Sequence, residues 1–170
     1  MYRVLVSAFA TALLTSPCWA AWQGIEWGTT LDQVLEQNAS IRRATDKEAK
    51  GKSIKNRGQA LAVTNYETSK LSTIGYFLFQ EGRLSAVSLE LKDRDAAGLA
   101  QSLLRDQYGP VAREEKDYSP NTGCTTTLLS WRDAKHGNNV LFRSWDCPDT
   151  GKGSYSILYS PILEPAETGL

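Results

Sequence analysis

The chain has 170 residues, with 19 basic and 19 acidic side chains, one histidine and three cysteines. That length suits one compact domain, and a charged fraction of 22% with ordinary glycine and proline counts excludes polyelectrolyte and collagen-like classes. Balanced charge gives no global pull toward nucleic acid or an anionic membrane.

Residues 1–20 read as a cleavable secretory signal: Arg3 supplies the positive start, Val4 to Leu14 the apolar stretch, and Cys18 and Ala20 the small residues before the cut. The stretch is too short for a permanent span. The expected product is residues 21–170, an exported protein of the periplasm, with secretion as the alternative. Its two remaining cysteines, Cys124 and Cys147, predict one disulfide in an oxidising compartment.

Thr30 and Gln33 have capping-box spacing, and Leu31, Val34 and Leu35 form an apolar stripe, so a helix is predicted over 30–38. Residues 42–57 carry seven basic against two acidic side chains and read as an exposed loop or frayed helix. Runs 60–67, 73–80 and 84–91 read as strands, the last two joined by a tight turn at Glu81-Gly82. A second helix is capped by Asp95, shows a face of Leu99, Ala100, Leu103, Leu104 and Tyr108, and stops at Gly109-Pro110. Polar residues 113–123 read as a loop, and runs 124–132, 139–147 and 154–160 as three more strands.

The expected fold is therefore α+β: an antiparallel sheet of about six strands with two helices packed on one face, in the order α-β-β-β-α-β-β-β. The two similar halves suggest a duplication. The expected organisation is a signal over 1–20, one domain over 21–163 and a flexible tail over 164–170. Imperfect alternation around Tyr76 to Phe79 predicts that the second sheet face is partly covered or is a binding surface.

The segment Trp27-Gly28-Thr29-Thr30-Leu31-Asp32-Gln33-Val34-Leu35, the Gln80 to Leu84 hairpin and the helix end Tyr108-Gly109-Pro110 resemble small exported α+β modules. These are the outer-membrane assembly lipoproteins of the SmpA/OmlA type and the β-lactamase-inhibitor-like proteins. The chain departs from the lipoproteins in lacking a lipobox, since Pro17 stands before Cys18. The resemblance implies a module that binds other proteins and catalyses nothing.

Chemistry-bearing patterns are sparse. His136 lies in a turn beside Asp133, with no nucleophile elbow to pair with it, and reads as an ordinary polar turn residue. No CxxC, phosphate loop or dinucleotide fingerprint occurs, and Glu114-Glu115-Lys116-Asp117 lacks the ligand alternation of a calcium loop. No catalytic residue, metal or cofactor is implied. Lys50, Lys52 and Lys55 of the basic segment and Trp22 near the new N-terminus are the candidate contacts for a partner, while Trp131 and Trp145 read as core.

The expected function is an exported, non-catalytic module that binds another exported or envelope protein, as an inhibitor or immunity-type partner. It is neither a nucleic-acid binder nor an integral membrane protein. The alternative is a small-ligand or lipid-binding periplasmic protein using an apolar face at Phe77, Phe79 and Leu84. A hydrolase built on dispersed carboxylates ranks third.

The register of the last hairpin follows from its turn. If Ala134 to Gly137 close it, Trp131 faces Val140, Leu129 faces Phe142 and Cys124 faces Cys147. A bond there closes roughly 24 residues and stabilises the fold by about 3 kcal/mol in the chain-entropy model.

Overall fold

The computed structural model describes residues 21–162; the predicted signal over 1–20 and tail over 164–170 lie outside them. A two-stranded ribbon, β1 (Ala21–Trp22) and β2 (Ile25–Glu26), turns at Gln23 and Gly24, both at positive φ. Helix α1 (Leu31–Gln37) starts at the predicted capping box: Gln33 N–H donates to Thr30 Oγ1, and Thr30 N–H donates to Gln33 Oε1 at 3.0 Å. Strands β5 (Gly58–Glu67), β6 (Ser72–Gln80) and β7 (Arg83–Leu91) form a meander. Glu81 and Gly82, at φ 52° and 76°, make its second turn, as a two-residue primed turn requires.

Helix α3 (Arg94–Tyr108) leads to a second meander of β8 (Arg113–Ser119), β9 (Cys124–Asp133), β10 (Asn138–Cys147) and β11 (Lys152–Pro161). The last strands of the two meanders, β7 and β11, pair antiparallel and join both into one sheet.

The expected six strands and two helices, in the order α-β-β-β-α-β-β-β, are not what forms. The described residues make a nine-stranded antiparallel sheet, the separate ribbon and three α-helices. Two segments account for most of the difference. The 42–57 segment is no loop: β3 (Arg42–Arg43) and β4 (Ser53–Ile54) both pair with β5, and α2 (Asp46–Ala49) lies between them. Thr45 caps α2 in a second capping box with Glu48, whose carboxylate also takes both guanidinium nitrogens of Arg42, at 2.9 and 2.6 Å. Two- and four-residue elements are too short to show periodicity, so local caps and backbone pairing define them instead. Likewise 113–123 holds β8, a charged, exposed strand paired with β9. At the sheet edge a strand needs no apolar face, and charge there discourages further pairing.

Two smaller corrections concern α3. Its N-cap is Asp93, whose carboxylate accepts from Ala96 N–H at 2.9 Å, while Asp95 sits in the first turn. Its buried stripe is Ala97, Ala100 and Leu104, and Leu99 is exposed.

The predicted hairpin register is present. Trp131 pairs with Val140 and Leu129 with Phe142, and Cys124 is bonded to Cys147 with Cα atoms 4.1 Å apart. Both main helices cover one sheet face, where Val34, Ala100 and Leu104 meet Phe77, Phe79, Leu84 and Phe142. Over part of the other face, Ala44 and Ile54 pack against Ala60, Val63, Tyr76, Leu78 and Ala86. The basic segment thus covers a second, smaller core.

Candidate functional site

Five of the seven residues proposed for partner contact or for an apolar face carry tertiary contacts. Trp22 is 6% exposed. It stands edge-on to Phe77, with ring centroids 5.5 Å apart, and tilted against Tyr66 and Tyr159 at 5.7 and 6.4 Å. Lys52 lies 5.0 Å from the Tyr76 ring centroid and is ion-paired with Glu90. Lys50 and Lys55 are exposed. Phe77, Phe79 and Leu84, expected to offer an apolar binding face, are buried in the main core. Of the two strand tryptophans, Trp131 is core, but Trp145 is 38% exposed on the sheet face away from the helices.

Concavity lies elsewhere, along the C-terminal half of α3. The small residues Ala97 and Ala100 sit against the sheet, and Trp131 Nε1–H donates to the Gly109 carbonyl at 3.1 Å, fixing the helix end over β9. Between α3 and the sheet is a cavity of about 460 Å³ walled by Leu71, Leu89, Leu103, Leu104 and Ile157, with Lys70 and Asp106 also in its lining. Beside it is a second chamber of about 350 Å³, formed where the β1–β2 ribbon meets the β9–β10 turn. Tyr66, Gln107 and Tyr159 line both, so the two lie side by side as one groove region, the first richer in apolar side chains and the second in polar ones.

The polar chamber is built by side chains from five parts of the fold. Trp22 and Gln23 come from the ribbon, Tyr66 from β5, Tyr108 from α3 and Tyr159 from β11. Asp133 and His136 come from the β9–β10 turn. That turn is held internally: His136 N–H donates to Asp133 Oδ1 at 3.2 Å, and His136 Nδ1 stands 2.8 Å from Oδ2. Asn138, buried at its end, accepts from Trp27 Nε1–H at 2.8 Å. Burial is the main cause raising both the Tyr159 and the Tyr108 phenols above their ordinary range, and the two hydroxyls also hydrogen-bond to each other. Both phenols are therefore neutral across physiological pH.

Asp133 and His136 are spaced like the orienting half of a triad. None of the residues lining that chamber is Ser, Thr or Cys, so the pair has no nucleophile to activate there. No group of three or more His, Cys, Asp or Glu side chains among the described residues has metal-site geometry. No helix among them is long and apolar enough to cross a membrane.

Sequence reasoning assigned no function to the three tyrosines. Gln23-Gly24 between Trp22 and Ile25 is a turn signal that would have placed the ribbon. Nothing local would have brought Tyr66, Tyr108 and Tyr159 together, because they lie on three elements far apart in the chain. Comparison of the chain with protein-family models, curated proteins and solved structures found no match.

Proposed function

We propose that this chain is an exported, non-catalytic binding module that takes a small amphiphilic ligand in the groove between α3 and the sheet. The carrying observation is the pair of adjacent cavities, about 460 and 350 Å³, the first walled by leucine and isoleucine and the second by tyrosines and polar groups. Small-molecule sites are typically concave, about 300–1,000 Å³, mostly apolar and furnished with a few convergent polar groups. An apolar chain fits between Leu89, Leu103 and Ile157, and a polar head fits beside Asp133 and Gln107. The signal-like N-terminus and the Cys124–Cys147 disulfide support an exported location. Native mass spectrometry of the protein from an oxidising compartment tests the reading. It is expected to show a small molecule bound one to one, and Leu103→Arg, which places a charge in the apolar cavity, is expected to abolish it. A native chain that carries no such mass, and takes up no eight-carbon amphiphile of cationic, anionic or sugar head on titration, would overturn it.

A second reading, a protein partner from the cell envelope, rests on Lys50 and Lys55, which stay exposed while Arg42, Arg43 and Lys52 are in ion pairs. Such a contact is salt-sensitive, because exposed charges are screened beyond about 8–10 Å at physiological ionic strength. In pull-downs, Lys50→Gln with Lys55→Gln is expected to weaken capture and flatten its salt dependence.

A further inference from the structure

We propose that the polar chamber of the groove is an aromatic cage for an organic ammonium cation, the head of an amphiphile whose apolar chain lies in the adjoining cavity. The proposal rests on the groove being a ligand site and specifies which head group it takes.

Three features of the chamber favour a cation. Four of its ten lining residues are aromatic: Trp22, Tyr66, Tyr108 and Tyr159. The rings of Tyr66 and Tyr159 stand tilted at 58° and 56° to Trp22, walls at an angle rather than a stack. The faces of such rings carry negative electrostatic potential, which attracts ammonium groups, quaternary ones included. The only carboxylate in the lining is Asp133, whose side chain is 10% exposed. A carboxylate so shielded from water acts on a neighbouring charge through a lower effective dielectric than one at the surface. Finally, no lysine or arginine lines the chamber.

The same features disfavour an anion. A sulfate or carboxylate head would meet Asp133 and four aromatic side chains with no lysine or arginine in the lining to compensate. A sugar head could hydrogen-bond to Gln23, Gln107 and Asp133, but it carries no positive charge for the rings and the carboxylate to attract. The adjoining cavity, walled by Leu89, Leu103, Leu104 and Ile157, then takes the apolar chain. A free alkylamine and the trimethylammonium head of a lipid share this chemistry.

The test is a titration at pH 8 of tryptophan fluorescence and heat with three eight-carbon amphiphiles differing only in the head: trimethylammonium, sulfate and glucoside, each below its critical micelle concentration. The trimethylammonium compound is expected to bind at least tenfold more tightly than the other two. Asp133→Asn, which keeps an oxygen to accept from His136 N–H, is expected to reduce that preference at least fivefold. Tyr66→Leu is expected to do the same. Equal affinity for all three heads, or a preference for sulfate or glucoside, would overturn the cage and leave the groove standing. Failure of all three to bind would overturn both. Should either variant fail to fold, the head-group series on the native chain still decides. Tetramethylammonium alone separates the sources: saturable binding points to a free amine, and its absence beside tight octyl binding to a lipid-like amphiphile.

Discussion

The Lys52 ammonium shares its place between the Tyr76 ring and the Glu90 carboxylate, and its side chain is 32% exposed. A partly exposed ion pair contributes up to about 1 kcal/mol, and a cation–π contact about 0.5–1 kcal/mol. Lys52→Ala is therefore expected to cost about 1–2 kcal/mol in urea denaturation, and Lys52→Met less, because the stem's packing on Tyr76 is kept. Glu48 makes a pH-dependent contribution. Hydrogen bonds from Arg42 hold its carboxyl well below the ordinary carboxylate range, with further bonds from Thr45 N–H and Oγ1. A carboxyl depressed in the folded state stabilises above its unfolded pKa, about 4.3, and loses that contribution as pH falls. The stability difference between the native chain and Glu48→Gln should be largest at neutral pH and shrink below about pH 4, read as urea midpoints across a pH series.

At the scale of the element, helix α3 and strand β5 give glycine substitutions of opposite sign. Gly98 lies in the exposed face of α3, where an added Cβ meets nothing within 4 Å. Gly98→Ala should raise stability by about 0.5–1 kcal/mol, the helix-propensity gain. Gly58 opens β5 at φ 82°, and a Cβ there would lie 1.9 Å from the Phe79 carbonyl oxygen. Gly58→Ala should cost about 2–3 kcal/mol and loosen the start of β5 where β4 pairs with it. The α3 cap can be checked by the same thermal melts: Asp93→Ala should cost about 1 kcal/mol, and Asp95→Ala less.

Across the whole molecule, the disulfide and the groove occupy opposite ends of one hairpin. Cys124 and Cys147 close the open end of β9–β10, and Asp133 and His136 sit at its turn, about 30 Å away at roughly 3.3 Å per residue. Replacing both cysteines by alanine should lower stability by about 3 kcal/mol while leaving ligand affinity at the groove unchanged, measured by titration at a temperature where both forms are folded. A matching loss of affinity would show that the turn depends on the strand ends for its position.

The elements defined by local chemistry could be read from residues alone. Thr30 and Gln33 mark the start of α1, Glu81-Gly82 the β6–β7 turn, and Gly109-Pro110 the end of α3, because caps and turns use only near neighbours. The β9–β10 register was also legible, since one turn length fixes every pair beyond it, and the two cysteines fell opposite each other. Tertiary structure decided what depends on distant partners. The charged run of β8 becomes a strand only because β9 offers it an edge, and Arg42–Arg43 and Ser53–Ile54 only because β5 does. Trp22 was legible as a large aromatic near an N-terminus, but its burial depends on Phe77, more than fifty residues away. The groove is the extreme case: its tyrosines come from β5, α3 and β11, and only the pairing of β7 with β11 brings the two halves that carry them together.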